Sequence, residues 1–393
     1  MTERNESIDP IDLHHAHAGK IEITSKVDVH TEEDLSVVYT PGVSEVCKAI
    51  AKDETKADTL TARGNMIAVI TDGTAVLGLG DIGPKAAIPV MEGKSILFKS
   101  LANVDAFPLS LDTKDTEEII SIVKALQPNF SGINLEDISA PRCFEIEKRL
   151  IDELDIPVFH DDQHGTAIVV LAALINALKV VEKTDKQAKI VINGAGSAGI
   201  AIARLLLEAG YKDITLVSLE GVLSQTETWM NSAQQEIAEL TNLRHISGTL
   251  EDVIVEADVF IGVSGPKALT KAHVQSMNEN PIIFALANPT PEIYPEEAFE
   301  AGAEIVGTGR SDYPNQINNL LAFPGIFRGV LDAQTKHITT DMKIAAAKAI
   351  AGTIPSAALN SEFVIPHALD QHVAEEVAEA VKQCVEKEEV VPV

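Results

Sequence analysis

Hydrophobic positions along the chain fall into short runs that alternate with longer segments of helical periodicity. The segments TEEIISIVKALQ and IAIARLLLEAG repeat apolar residues at the 3.6-residue period of an amphipathic helix. Strands that alternate with helices form mainly parallel sheets with helices packed on their faces, so the pattern predicts an α/β fold. The candidate strands are MIAVITD, AFPLSLD, FSGINLE, IPVFHDD, KIVINGA, DITLVSL, ADVFIGV, PIIFALA and AEIVGTG.

A chain of 393 residues is too long for one ordinary core, which predicts two domains. The boundary is expected near residue 160, because a long apolar helix over 165–182 would bridge two sheets. We therefore predict an N-terminal α/β domain over residues 1–160 and a C-terminal doubly wound domain over residues 161–393. The last segment predicts a helix with one apolar stripe, formed by Val373, Val377, Val381 and Val385. This stripe would either pack on its own domain or contact another subunit.

Charge and cysteine content narrow the possible partners and the compartment. With 31 basic and 59 acidic residues, the net charge of −28 repels phosphate backbones and anionic lipid, so neither nucleic acid nor a membrane is an expected partner. Cys47, Cys143 and Cys384 are scattered without metal-ligand or disulfide-framework spacing, as is usual in a reducing compartment. The N-terminal stretch MTERNESIDP is polar and lacks the apolar run of a secretory signal, so we expect none. A cytoplasmic protein is expected.

A glycine fingerprint, VINGAGSAG, stands between a predicted strand and a predicted helix. In that context a GxGxxG pattern gives a tight turn, a close approach of the backbone to a pyrophosphate and a helix N-terminus aimed at it. It predicts that the second domain is of the Rossmann type and binds a dinucleotide. The expected contacts are Gly194, Ala195, Gly196, Ser197, Ala198 and Gly199.

Two further features qualify this prediction. The similar pattern GLGDIG is followed directly by Pro84, which lacks the N–H that a phosphate needs, so we interpret it as a backbone turn that shapes a site. After the next strand of the second domain stand Ser218 and Glu220 rather than a cation that could receive a 2′-phosphate. This favours NAD over NADP weakly.

Four carboxylates follow two neighbouring predicted strands. Glu136 and Asp137 end one strand, and Asp161 and Asp162 end the next. In a parallel sheet these ends lie on the same edge, and several ionised carboxylates meeting there require a cation, for which Mg²⁺ or Mn²⁺ is suited. The alternative is that Asp162 only caps the following helix.

Two histidines, His160 and His164, lie in the same stretch, at the spacing of a zinc protease. That motif requires Glu directly after the first histidine, and this chain has Asp there. We expect both rings to be hydrogen-bonded structural groups.

Taken in order, the motifs VVYTPGVSEVCKAI, MEGKSILFK, INLEDISAP, FHDDQHGTA, NGAGSAG, ALANPTPEI and NNLLAFPGIF resemble the malic enzyme family, in its compact bacterial form, over roughly residues 15–385. The resemblance implies oxidative decarboxylation of L-malate to pyruvate and CO₂, through oxaloacetate, with reduction of NAD(P) and a divalent metal. The N-terminal domain would then hold the substrate. It also implies a homodimer or higher homo-oligomer.

The resemblance further implies roles for individual residues. The metal ligands correspond to Glu136, Asp137 and Asp162, the general base to Lys94 and the general acid to Tyr39. Asp161 corresponds to the partner of this lysine, and Asn288 to a residue that contacts nicotinamide and substrate. Asn318 and Asn319 correspond to an amide pair that contacts the substrate. A lysine serves as a base only if burial and cationic neighbours lower its pKa, which we therefore expect for this amine.

Three alternatives to this function stay open at this stage. An oxaloacetate decarboxylase or a malolactic-type enzyme of the same family would use the same metal, lysine and tyrosine. A non-catalytic dinucleotide sensor would be expected to lack one of these groups, and a metal-dependent hydrolase would leave the glycine fingerprint unexplained.

The chain departs from the larger members of the family in one respect. Its TDG strand-loop region, residues 71–73, lacks the arginine with which those members bind a substrate carboxylate. Another group, from this chain or from a partner subunit, must supply that contact.

Overall fold

The computed structural model describes residues 9–76, 78–183 and 187–390. All nine predicted strands are present in this part of the chain, each separated from the next by one or more helices, and the α/β prediction is confirmed. The strands are β1 (Met66–Thr71), β2 (Asp105–Ser110), β3 (Ile133–Leu135), β4 (Val158–His160), β5 (Ile190–Asn193), β6 (Ile214–Val217), β7 (Val259–Gly262), β8 (Ile282–Ala285) and β9 (Ile305–Thr308). The helices are α1 (Pro10–His17), α2 (Glu32–Val38), α3 (Val43–Lys52), α4 (Ala57–Leu60), α5 (Pro84–Ala102), α6 (Thr116–Leu126), α7 (Arg142–Glu153), α8 (Asp161–Val180), α9 (Ser197–Glu208), α10 (Ser232–Ala238), α11 (Leu250–Val253), α12 (Lys271–Ser276), α13 (Pro295–Glu300), α14 (Phe323–Asp332), α15 (Thr340–Gly352) and α16 (Gln371–Val390).

The strands form two parallel sheets. The first has the order β2-β1-β3-β4 and the second the order β6-β5-β7-β8-β9. The strands of the second sheet are buried along their whole length, as expected for continuous apolar runs covered by helices on both faces. In each sheet the strand order reverses once, between β1 and β3 and between β5 and β7, and open α/β sheets bind ligands at such a point.

Helix α8 connects the two sheets. It begins directly after β4, four residues before the predicted start at residue 165, and it packs against α9 and α15. Its length and hydropathy match those of a membrane span, but 72% of its most apolar window is buried inside the protein, as in a core helix. Its first turn carries Asp161 and Asp162. The exact division of the domains at residue 160 stays a prediction.

The terminal helix packs on its own domain, which was one of the two alternatives for the valine stripe. Val377 and Val381 are fully buried against α14, and α16 also contacts α15. Gly325 and Gly329 of α14 allow this close approach, because a Cβ at either position would lie 2.6–2.8 Å from the Cβ of the facing valine.

Candidate active site

Two strand ends carry the carboxylates of the candidate site. β3 and β4 pair in parallel register through their last residues, so the residues that follow both strands emerge together at one edge of the first sheet. One carboxylate oxygen each of Glu136, Asp137 and Asp162 lies within 4.8 Å of the others. The N-terminus of α8, with its partial positive charge, lies directly at this cluster and favours the negative charges.

Local hydrogen bonds orient these carboxylates. Asp137 has the left-handed φ of 54°, and its backbone N–H donates to Asp162 Oδ2 at 2.7 Å. The buried Asn134 donates from Nδ2 to Glu136 Oε2 at 2.9 Å. The second oxygen of Asp137, Oδ2, is buried without a hydrogen-bond partner among the described residues. Such an oxygen, in a converging set of hard donors, fits a divalent cation of the Mg²⁺ or Mn²⁺ kind.

Lys94 lies among the carboxylates. It stands on α5, its side chain is buried, and its Nζ is 2.6 Å from Asp161 Oδ2 and 3.0 Å from Glu136 Oε1. The ring of Phe323 covers the ammonium at 4.2 Å from the ring centroid. The structure thus brings Lys94 together with both strand ends, and the double aspartate divides between two partners. Asp161 faces the lysine, whereas Asp162 faces Asp137.

The pKa of Lys94 differs from the expectation. Burial alone lowers the pKa, but the negative charges of Asp161 and Glu136 outweigh burial and raise it. The expectation that the pKa of Lys94 is lowered is therefore wrong for the metal-free protein. The expected lowering required cationic neighbours, whereas the nearest charged neighbours of Lys94 are the anions Asp161 and Glu136.

Gly165 makes room for the lysine's partner. It lies one helical turn after Asp161 on α8, and a Cβ at residue 165 would overlap Asp161 Oδ1. Any side chain here would push the carboxylate away from Lys94. The glycine of the FHDDQHG motif is therefore explained by packing against Asp161.

The two histidines of that motif differ from each other. His164 Nε2 lies 2.9 Å from the buried carboxylate of Glu147, as expected for a structural hydrogen-bonded ring. Glu147 Oε1 also accepts the backbone N–H of His160 at 3.0 Å, so this carboxylate fixes the start of α8. The ring of His160 is buried, with Nδ1 at 3.8 Å from Asp162 Oδ2 and the backbone of Ile138 as a further polar neighbour, so its role as a hydrogen-bonded structural group stays a prediction.

A cleft joins the carboxylates to the second sheet. Its cavity of about 560 Å³ is lined by Asp137 and Asp162 on one side and by Ser197 and Ala198, at the start of α9, on the other. A neighbouring cavity of about 790 Å³ is lined by Gly194, Ala195 and Gly196 and extends to Ser218 and Glu220. Residues 263–266 line both cavities. The two cavities share this wall and together reach from the carboxylates to the glycine loop.

The glycine fingerprint has the geometry that dinucleotide binding requires. Gly194 has a φ of 125°, and a Cβ there would lie 2.6 Å from the carbonyl oxygen of Val263. A Cβ at Gly199 would overlap the carbonyl oxygen of Gly194, whereas Gly196, the N-cap of α9, faces open space. The open position leaves room for a pyrophosphate at the helix N-terminus.

The second glycine pattern forms a turn beside the cleft, in keeping with its interpretation. Val76 donates its N–H to the carbonyl oxygen of Gly80 at 3.0 Å, which closes the turn. Gly78 has a φ of 75° and lines the cavity, close to the carbonyl oxygen of Asn288.

The remaining predicted residues divide into two groups. Asn288, Asn318 and Asn319 line the cleft. Tyr39 does not belong to the described lining residues. It is the C-cap of α2 and is 67% exposed, in the described segment 9–60, which contains no buried residue.

Sequence reasoning missed four residues of this site, namely Asn134, Glu147, Gly165 and Phe323. Three of them lie inside the motifs that carried the family resemblance. Glu147 lies outside these motifs, and a polar residue on the buried face of an amphipathic helix was the available signal. Its role depends on a contact with the start of α8 that only the tertiary structure reveals.

Burial and mutual closeness change the pKa values of these carboxylates. Burial, followed by the charges of Asp162 and Glu136, raises the pKa of Asp137 from its ordinary 3.8 to about 9. Burial also raises the pKa of Glu136 and of Asp162. Between pH 4 and 9 the folded chain therefore binds a proton at Asp137 that the unfolded chain has lost, and the free energy of unfolding falls as the pH rises through this window.

We expect Asp137→Asn to stabilise the metal-free protein at neutral pH while abolishing its response to metal. Asn tolerates the left-handed backbone and is neutral without having to take up a proton on folding, so Tm should rise by about 2–4 °C, which corresponds to roughly 1 kcal/mol. Mn²⁺ should raise the Tm of the unaltered protein but not that of the variant. Calorimetry at pH 7.5 measures both effects, with the exposed Asp152→Asn as the control. A fall in the metal-free Tm of the Asp137 variant would contradict this account.

Known proteins resemble this chain along most of its length. The family model of the malic enzyme N-terminal domain matches residues 18–151, and that of the malic enzyme NAD binding domain matches residues 163–386. An NAD-dependent malic enzyme of Geobacillus stearothermophilus is 60% identical over 92% of this chain and 76% of its own length. A bifunctional malic/malolactic enzyme of Bacillus subtilis (strain 168) is 57% identical over 94% of this chain and 90% of its own length. The crystal structure of an NAD-dependent malic enzyme of Thermotoga maritima superposes with a TM-score of 0.92 at 50% identity, covering 96% of this chain and 99% of that one. The resemblance predicted from the motifs is confirmed, and the chain belongs to the malic enzyme family.

Proposed function

We propose that this protein converts L-malate to pyruvate and CO₂ with reduction of a nicotinamide dinucleotide, in a reaction that depends on Mg²⁺ or Mn²⁺. The observation that carries the proposal is the convergence of three carboxylates within 4.8 Å, next to a buried lysine, at the end of a cleft that leads to the glycine loop. A reaction that combines redox chemistry with decarboxylation needs these three components in one place.

The side chains fit the two groups that the reaction requires. Glu136, Asp137 and Asp162 would hold the cation, and the loop of residues 194–199 would hold the pyrophosphate. When bound, the cation polarises the C2 oxygen of the substrate and the nicotinamide accepts the hydride from C2. Asn288, Asn318 and Asn319 line the space between these positions and would orient the substrate through their amides.

Proton transfer is assigned to the chain's own residues. Lys94 would take the proton of the C2 hydroxyl as the neutral amine, and the Asp161 carboxylate at 2.6 Å orients its Nζ. The carboxylates raise the pKa of Lys94, so positive charge bound beside them would lower it towards the operating pH. After CO₂ departs, Tyr39 would protonate C3 to give pyruvate. The buried, phenylalanine-covered position of the lysine supports its role.

We expect malate-dependent formation of NADH in the presence of Mn²⁺ and its loss in Lys94→Ala. A general base contributes about 10²- to 10⁴-fold to a rate, so kcat should fall by that factor while the affinity for NADH is unchanged. Lys99→Ala, a more exposed lysine later on α5, is the matched control. An unchanged kcat in Lys94→Ala would refute the assignment.

The same experiment separates the rival activities. The Bacillus subtilis relative is named as a bifunctional malic/malolactic enzyme, so lactate is measured beside pyruvate. Consumption of oxaloacetate without dinucleotide tests for a plain decarboxylase. Pyruvate and NADH formed in equal amounts support the proposed reaction. Lactate as the main product, or no NADH, would favour a rival.

We infer a preference for NAD over NADP. Glu220 and Glu251 both line the 790 Å³ cavity, and the Glu220 carboxylate accepts a hydrogen bond from Ser218 at 2.5 Å. Among the described residues that line this cavity, none is a lysine or arginine. A 2′-phosphate would meet two negative charges without a compensating cation.

Glu220→Ser is expected to raise kcat/KM for NADP about 10-fold and to leave that for NAD within about twofold, because only the 2′-phosphate is repelled. Steady-state kinetics with each dinucleotide measures the ratio. Glu208→Ser, an exposed substitution of the same kind on α9, should change neither value. An equal response to both dinucleotides would show that Glu220 does not discriminate between them.

We further propose that the protein acts as a homodimer in which a second copy covers the N-terminal segment, residues 9–60. This segment has no buried residue, yet it exposes apolar side chains such as Ile23 at 88% and Val37 at 67%. Exposed apolar surface of this extent is typical of an interface. Tyr39 lies within it, so its phenol would reach the substrate only in the assembled dimer.

Val37→Asp is expected to convert the protein from twice the 42.0 kDa chain mass to a monomer, because the interface would have to bury an unpaired charge. The monomer should still bind Mn²⁺ and NADH but form pyruvate at least about 100-fold more slowly. Sedimentation velocity and turnover are measured together, with the exposed Glu33→Gln on α2 as the control. A fully active monomer would contradict the proposed dimer.

The cytoplasm is the compartment that we infer. Cys47 is exposed and Cys143 is buried, and neither forms a disulfide. Burial raises the pKa of Cys143 to about 12, so its thiol is inert. Unpaired thiols of this kind are typical of a reducing compartment.

A further inference from the structure

The motif ALANPTPEI contains a second polar residue that the proposed reaction leaves unexplained. Glu292 is fully buried, with a relative exposure of 0%. Its Oε1 accepts the backbone N–H of Ser264 at 3.1 Å, and its Oε2 accepts the backbone N–H of Ala287 at 3.0 Å. Within residues 9–76, 78–183 and 187–390, no cation lies within ion-pair distance of this carboxylate. A buried charge that is held by backbone N–H groups without a cation is costly and demands an explanation.

The two donors belong to the two loops that form one wall of the cleft. Ser264 follows β7 and Ala287 follows β8, two adjacent parallel strands. Both residues line the 560 Å³ cavity, and the loop after β8 continues into Asn288. The Glu292 carboxylate therefore sets the distance between two loops at the carboxyl edge of the second sheet.

The strand beside this carboxylate is shaped to admit it. At Gly262, the last residue of β7, an added Cβ would lie 2.7 Å from Glu292 Oε1 and 2.8 Å from its Cγ. The absence of a side chain at Gly262 leaves the space that the glutamate fills. Burial, only partly offset by the backbone N–H groups of Ala287, Ser264 and Glu292 itself, raises the pKa of Glu292.

We propose that Glu292 is a positioning residue for the dinucleotide, whose carboxylate holds the loops after β7 and β8 at the spacing that admits the nicotinamide half. This inference rests on the proposed function. The residue does not touch the reacting atoms and acts through the backbone of Ser264 and Ala287, and through them on Asn288.

The chemistry of the two hydrogen bonds requires a carboxylate. Each oxygen accepts one N–H, so both donors are satisfied together. A glutamine has one accepting oxygen and one NH₂ group, and the NH₂ would face a backbone N–H. One of the two loops would lose its hydrogen bond and be pushed away. An aspartate keeps the charge, but it is one methylene shorter and cannot reach both loops.

The test compares NADH binding and Mn²⁺ binding in Glu292→Gln, Glu292→Asp and the unaltered protein. NADH fluorescence titration should give a dissociation constant about 10- to 100-fold higher in both variants, since the hydrogen bonds of a charged group are lost. Mn²⁺ affinity by calorimetry should stay within about twofold, because the carboxylates of the first sheet are untouched. Glu297→Gln, an exposed glutamate on α13, is the matched control and should alter neither.

The outcomes separate the inference from the proposed function. Equal NADH affinity in all variants, or an equal loss of NADH and Mn²⁺ affinity, would overturn the positioning role. If Glu292→Gln does not fold, Glu292→Asp decides the question with the charge retained. Failure of the unaltered protein to bind Mn²⁺ or to oxidise malate refutes the proposed function instead. Selective weakening of NADH binding in a protein that binds Mn²⁺ normally supports the inference.

Discussion

Mutual repulsion among buried carboxylates is the constraint on which the rest of this structure depends. Glu136, Asp137, Asp161 and Asp162 emerge from two adjacent strand ends, and the backbone gives them no freedom to separate. One ammonium, that of Lys94, offsets only part of their charge. A proton held by Asp137 relieves a further part of the repulsion, and the cluster can accept more positive charge in its place.

Several features around the carboxylates help to keep them in place. The N-terminus of α8 places partial positive charge beneath the acids, and the carboxylate of Glu147 ties the backbone at the start of this helix to α7. Gly165 leaves the space into which the Asp161 side chain turns. Burying these charges lowers the stability of the fold, and the raised pKa values of Asp137 and Asp161 reflect that unfavourable burial. Perturbed pKa values of this kind are typical of functional sites.

Both sheets contribute to one cleft, and each does so where its strand order reverses. Each reverses its strand order once, and helix α8 sets the two carboxyl edges so that the carboxylates of the first face the glycine loop of the second. Glu292 performs on the cofactor side a task like that of Glu147 on the metal side. In both cases a buried carboxylate outside the reaction centre organises backbone N–H groups.

Hydrophobic periodicity and the ordered motifs were enough to predict the nine strands, the α/β class, the family and the residues that cluster at the strand ends. Each strand and each motif can be recognised within one continuous segment of the chain. The sign of the Lys94 pKa shift and the exposed position of Tyr39 became evident from the three-dimensional arrangement alone. Each of these depends on which groups from distant segments become neighbours. Electrostatic and packing terms act between such neighbours, and no pattern within a single segment of the chain encodes them.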